Sequence, residues 1–197
     1  MRIDKNGDLI LGQMNRPVLE GLIRAASPGR QRAFAVACAR LAGSLAELHW
    51  DADLLPHMRQ TFAAAELLVA GVDAKDSRVL AGREAAGALA HDLDEIQFEL
   101  HGWILEDTED GRYTSRNHPL NGTYSSACRR YAAADAASYT LHESALSAAA
   151  LCLEVVAVAM RVDYDTLLAL ARHWLLEFPA PIERDEVEAL FGRDAGE

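Results

Sequence analysis

Two histidine and carboxylate pairs stand at helical spacing in this 197-residue chain: His91 with Asp94 and Glu95, and His173 with Glu177. Residues three or four apart share a helix face, so two such pairs could hold a divalent cation between them. The same spacing also arises wherever an acidic helix simply turns its charges to water. A helical di-iron site needs a Glu three positions before a His on two helices, and none of the seven histidines has one. Asp4, Asn6 and Asp8 imitate the start of a calcium loop, but Leu9 stands where that loop needs glycine and Asn15 where it needs a bidentate Glu. The phosphate loop, the nucleophile elbow, His-Glu-x-x-His and Cys-x-x-Cys are all missing. The expectation is a chain with no cofactor and no metal. Cys38, Cys128 and Cys152 are far apart in Ala-rich surroundings and read as small buried apolar residues of a reducing cytoplasm.

Charge is more informative than any motif. The formal net charge is −11, and residues 48–110 carry −10 of it. Asp92, Asp94, Glu95, Glu99, Glu106, Asp107, Glu109 and Asp110 follow one another with no Lys or Arg among them. Binding to phosphate backbones needs the opposite balance, so no nucleic-acid partner is expected. On a helical wheel Asp92, Glu95, Glu99 and Glu106 project within about 60° of one another. Like charges at this spacing cost a helix roughly 0.2–0.5 kcal/mol per pair. The row reads either as a solvated face or as a docking ridge for a basic protein, where complementary potential speeds and orients association. Phe98 and Leu105 fall away from the apolar stripe of the same segment and read either as a second core face or as apolar anchors among the acids.

A second set of candidates lies between residues 108 and 124, which lack periodicity and exceed the usual helix-to-helix connection. Arg112, Tyr113, Arg116, His118 and Tyr124 could form a binding surface there, or the segment could be an exposed loop. Glu154 is the only charge between Ala145 and Met160. In a central helix it would be partly buried and would need a partner, either an arginine from elsewhere or a catalytic role with His142 and the loop.

The elements that must position these residues are helical. Thirty-six Ala and 27 Leu against 19 Gly plus Pro favour helices strongly. Spacings of three and four predict helices over about 17–26, 30–48, 57–72 and 76–107. Helix resumes at Ser125 or Ser126 and runs to Met160 with a break near residues 142–144, and Asp163 caps another helix reaching Phe178. Residues 183–192 read as a last short amphipathic piece, and residues 1–15 as a turn and a short extended segment. In the fourth helix Val79, Gly82, Ala86, Leu89, Leu93, Ile96, Leu100 and Trp103 form the predicted core stripe. The fold class expected is all-α: one domain, a multi-helix bundle or orthogonal array of about seven helices. No signal peptide or membrane-spanning segment is expected.

Arg32-Ala-Phe-Ala-Val-Ala-Cys-Ala-Arg40, Ala65-Glu-Leu-Leu-Val-Ala-Gly71 and Arg83-Glu-Ala-Ala resemble an Ala-rich, all-α family of immunity proteins from bacterial polymorphic toxin systems, over about residues 30–90. The resemblance implies a cytoplasmic protein that neutralises a toxin by direct binding, and it carries no catalytic residues across. An acidic ridge would suit a basic toxin domain such as a nuclease. The competing expectations are a small helical enzyme with a pocket around Glu154, His142, His118 and Tyr113, and an oligomerisation module marked by an apolar patch.

Overall fold

The computed structural model describes residues 16–48, 52–114 and 116–176. Among these residues the chain forms seven α-helices and no strand: α1 (Arg16–Ala25), α2 (Pro28–Leu45), α3 (Leu55–Val69), α4 (Ser77–Glu109), α5 (Asn121–Tyr139), α6 (Ala145–Glu154) and α7 (Tyr164–Leu175). A π-helical turn, Val155–Ala159, extends α6. The all-α expectation holds. The expected extended segment at 1–15, the piece at 183–192 and Glu177 lie outside the described residues.

Short capping signals set several of the helix starts. Pro28 occupies the first turn of α2, where its missing N–H costs nothing. The Asp76, Ser144 and Asp163 side chains accept from the amides of Arg78, Ser147 and Thr166, so α4, α6 and α7 each begin on a side-chain cap.

Helix α2 is the hub, packed against α3, α5, α6 and α7. Phe34, Ala35, Ala37, Cys38, Ala39 and Ala42 are fully or almost fully buried. So many small side chains let neighbouring backbones approach closely, and α5 and α6 meet α2 through Ala133, Ala134, Ala136, Ala148 and Ala149 in one core. Phe34, Cys38, Leu41 and Leu48 fall at spacings of four, three and seven and are all buried, whereas Leu45 between Leu41 and Leu48 is exposed. Several polar groups at the core are satisfied internally, whereas the buried Trp174 Nε1 has no hydrogen-bond partner among the described residues. The buried Gln31 amide donates to the carbonyls of Ile23 (2.8 Å) and Ala26 (3.1 Å), closing the end of α1. Arg83 on α4 donates to the Leu141 carbonyl (3.1 Å), and Arg32 on α2 to those of His142 and Glu143 (3.0 and 2.7 Å). Two guanidiniums thus hold the turn between α5 and α6, where the carbonyl end of α5 carries partial negative charge.

Helices α3 and α4 form an antiparallel hairpin with a close crossing at Gly82. A Cβ built there would stand 2.1 Å from the Ala64 Cβ. Ala64 and Gly82 each lie nine residues from Asp73 in the connecting turn, so Leu55, the first residue of α3, comes level with His91. Helix α4 is about 50 Å long at 1.5 Å per residue and continues for 18 residues beyond that level. Over this outer half its main packing partner is α5.

Candidate functional site: the outer half of helix α4

The outer half of α4 buries only one narrow face. Leu93, Leu100 and Ile104 are buried, and His101 stacks on Tyr124 of α5 with ring centroids 5.6 Å apart. The predicted stripe is therefore right as far as Leu93 and wrong beyond it at two positions. Ile96 (45% exposed) and Trp103 (52%) stand in solvent, and Ile104, outside the prediction, takes the inner place. The cause is the length of α3. Gly82 meets Ala64 of α3, and Ile96 and Trp103 lie past the level where α3 begins.

Asp92, Glu95, Glu99 and Glu106 are all exposed. His91 pairs with Glu95 at 3.5 Å. Phe98 is 75% exposed and Leu105 47%, so among the described residues they form no second core face. Around the helix the order is Ile96 and Trp103, then the acids, then Phe98 and Leu105. An acidic crest thus runs between two flanks of large apolar side chains.

The loop after α4 is shorter than expected, because Thr108 and Glu109 belong to α4 and residues 121–124 to α5. It is also clasped. His118, expected at a binding surface, is instead buried with its side chain wholly covered. Its Nε2 lies 3.1 Å from Asp107 Oδ2 and its Nδ1 accepts the Leu120 N–H at 3.1 Å. An Nδ1 that accepts an amide proton leaves the proton on Nε2, which then donates to Asp107. Both ring nitrogens are engaged, so the ring fixes the loop and has no nitrogen left for a ligand. Tyr113 meets the His118 ring edge-on at 5.2 Å. Arg112 is committed to Asp107 (2.9 Å) and Asp110 (2.5 Å), and Asp107 and Asp110 hold its guanidinium firmly protonated. Of the loop candidates Arg112, Tyr113 and Arg116 are exposed, Arg112 while held by its two carboxylates. Asp107 is the residue sequence reasoning missed. It is one acid in a run of eight, and only the fold of the loop distinguishes it.

The constellation expected for an enzyme is not assembled. His118 precedes α5 and His142 follows it, so they lie at opposite ends of a 19-residue helix, about 27 Å apart along its axis. Glu154 is exposed rather than buried, because α6 packs through Ala145, Ala148, Ala149, Cys152 and Leu153 and Glu154 falls off that face. Cys38 and Cys152 are buried, and burial pushes both thiols up, away from the thiolate that nucleophilic chemistry needs. Among the described residues no three His, Cys, Asp or Glu side chains gather as a metal site, and no helix is long and apolar enough to cross a membrane.

Fold and site together define an all-α helical protein whose longest helix carries an exposed acidic crest with apolar flanks. Compared with protein-family models, curated proteins and solved structures, the chain has no match.

Proposed function

We propose that this chain is a cytoplasmic protein-binding antagonist, an immunity protein that neutralises a basic toxin domain by direct contact through the outer half of α4. One observation carries the reading: Ile96 and Trp103 on one flank of the acidic crest, and Phe98 and Leu105 on the other, are all exposed. Solvated charge alone accounts for the acids, but it does not account for four large apolar side chains placed among them. Large exposed apolar side chains grouped in one patch mark interaction surfaces, and an aromatic anchor amid charge is the composition of a binding hot spot. The Ala-rich resemblance of residues 30–90 points the same way.

The test is purification of the tagged chain from its native host beside the Asp92→Lys/Glu99→Lys/Glu106→Lys variant. The wild type is expected to bring down one basic protein that the variant loses, with the helical circular dichroism of the two chains unchanged. Equal recovery of the same protein by both would remove α4 from the interaction.

A further inference from the structure

Asp92, Ile96, Glu99, Trp103 and Glu106 are spaced by four, three, four and three residues. All five are exposed, and on an ideal helix they fall within an arc of about 80°. This is the spacing of the a and d positions that one helix presents to another in a coiled coil, here with acidic and apolar residues alternating. The line extends about 21 Å along α4. It starts just past the level of Leu55, the first residue of α3.

We infer that this line is a helix-docking seam, and that its occupant is an amphipathic basic helix of the protein partner, carrying Lys or Arg and large apolar residues in alternation at the same spacing. The seam commits to this chemistry for three reasons. Its apolar positions need a partner surface to leave water. Its acidic positions reject a second copy of this chain, which would set Asp92, Glu99 and Glu106 against like charge. And its residues are exposed along about 21 Å of α4, a length that one partner helix can follow. The inference rests on the proposed protein-binding role and adds the shape and charge pattern of what binds. Phe98 and Leu105, on the other flank of the acids, lie outside the seam.

The probe is a synthetic 21-residue helical peptide with Lys and Leu alternating at spacings of four and three, titrated into the full chain. Its controls are a peptide with Glu in place of those Lys residues and one of the same composition with the stripe scrambled. Trp103 on the seam reports binding through a blue shift of its fluorescence, which Trp103→Phe removes. The basic peptide is expected to bind at least ten-fold more tightly than either control and to weaken as salt rises. Asp92→Lys/Glu99→Lys/Glu106→Lys is expected to cost at least ten-fold, and Asp94→Lys/Glu109→Lys/Glu143→Lys, with the same change of net charge off the seam, less than three-fold. Equal binding of the scrambled peptide, equal loss in both triple variants, or sedimentation of the free chain as a dimer that Ile96→Asp dissociates would overturn the seam. The proposed function fails separately: a chain that binds the peptide but recovers no protein from its host keeps the seam and loses the antagonist role. A chain that recovers a protein through α4 yet does not distinguish the peptides does the reverse.

Discussion

Gly82 and Gly87 stand five residues apart in the same helix, and the structure assigns them opposite responses to one added methyl group. A Cβ at Gly87 meets nothing within 4 Å, whereas a Cβ at Gly82 stands 2.1 Å from the Ala64 Cβ and 3.3 Å from the Gln60 carbonyl oxygen. Replacing a mid-helix glycine by alanine removes a backbone-entropy cost of about 0.8–1 kcal/mol, and Gly87→Ala should deliver that gain in full. At Gly82 the same gain is set against an overlap of more than 1 Å, since carbon atoms rest about 3.5–4.0 Å apart. Neither alanine stem can rotate away, so α3 and α4 must separate. Overpacking of this kind typically costs about 1–3 kcal/mol, which leaves Gly82→Ala destabilised by up to about 2 kcal/mol and less stable than Gly87→Ala by the whole overpacking cost. At roughly 2–4 °C per kcal/mol for a domain of this size, thermal unfolding should give a Tm raised by about 2–4 °C for Gly87→Ala and lowered by up to about 8 °C for Gly82→Ala, with the two variants at least about 2 °C apart. Ala64→Gly in the Gly82→Ala background should recover part of the loss. A Gly82→Ala protein as stable as Gly87→Ala would refute the close crossing, and with it the register that ends α3 level with His91 and leaves Ile96 and Trp103 uncovered.

Three further outcomes follow from single side chains. His118→Ala removes two hydrogen bonds and leaves a buried space, so chemical denaturation should show a loss of about 2–4 kcal/mol, with faster hydrogen exchange at the Leu120 amide; unchanged exchange there would contradict the clasp. Asp135 is half-buried, and burial with the nearby Asp94 charge raises its pKa. A raised carboxyl favours the protonated native form, so its penalty is absent at pH below the unfolded carboxyl value and appears as pH rises through the folded one. Asp135→Asn should therefore raise Tm at pH 7 and lose that advantage near pH 3.5. The Asp163 carboxylate is held below its usual range by the Thr166 amide and hydroxyl, so its stabilising cap is present at neutral pH and is lost as pH falls through the lowered value. Asp163→Ala should cost about 1 kcal/mol at pH 7, and a neutral result there would remove the cap from the account.

Helices were legible where local chemistry decides them. Spacing and capping residues placed α2, α3, α4 and α7 within a few residues of their ends, and the break at 142–144 separates α5 from α6 as expected. The error along α4 arises because periodicity reports which side of a helix is apolar but not how far its neighbour reaches. Ile96 and Trp103 fit the stripe of α4 as well as Leu89 does, and only the starting point of α3 puts them in water. Glu154 looked central because its helix is apolar all round, yet Ala and Cys on one face sufficed to pack α6. His118 looked like a surface ligand because nothing in the residues around it announces a bond back to Asp107, eleven positions earlier. The acidic row was visible from spacing alone and Phe98 and Leu105 stood out beside it, whereas the flank of Ile96 and Trp103 appeared only once the neighbours of α4 were known.

Site-specific photo-crosslinking in the native host tests the central claim most directly, with a photoreactive residue placed in turn at Phe98, Trp103, Leu146 and Val158, all of them exposed apolar positions. The account predicts that Phe98 and Trp103 on α4 yield an adduct with one and the same basic protein, while Leu146 on α6 and Val158 in the π-helical turn yield none. Adducts from Leu146 or Val158 with both α4 positions silent would contradict it.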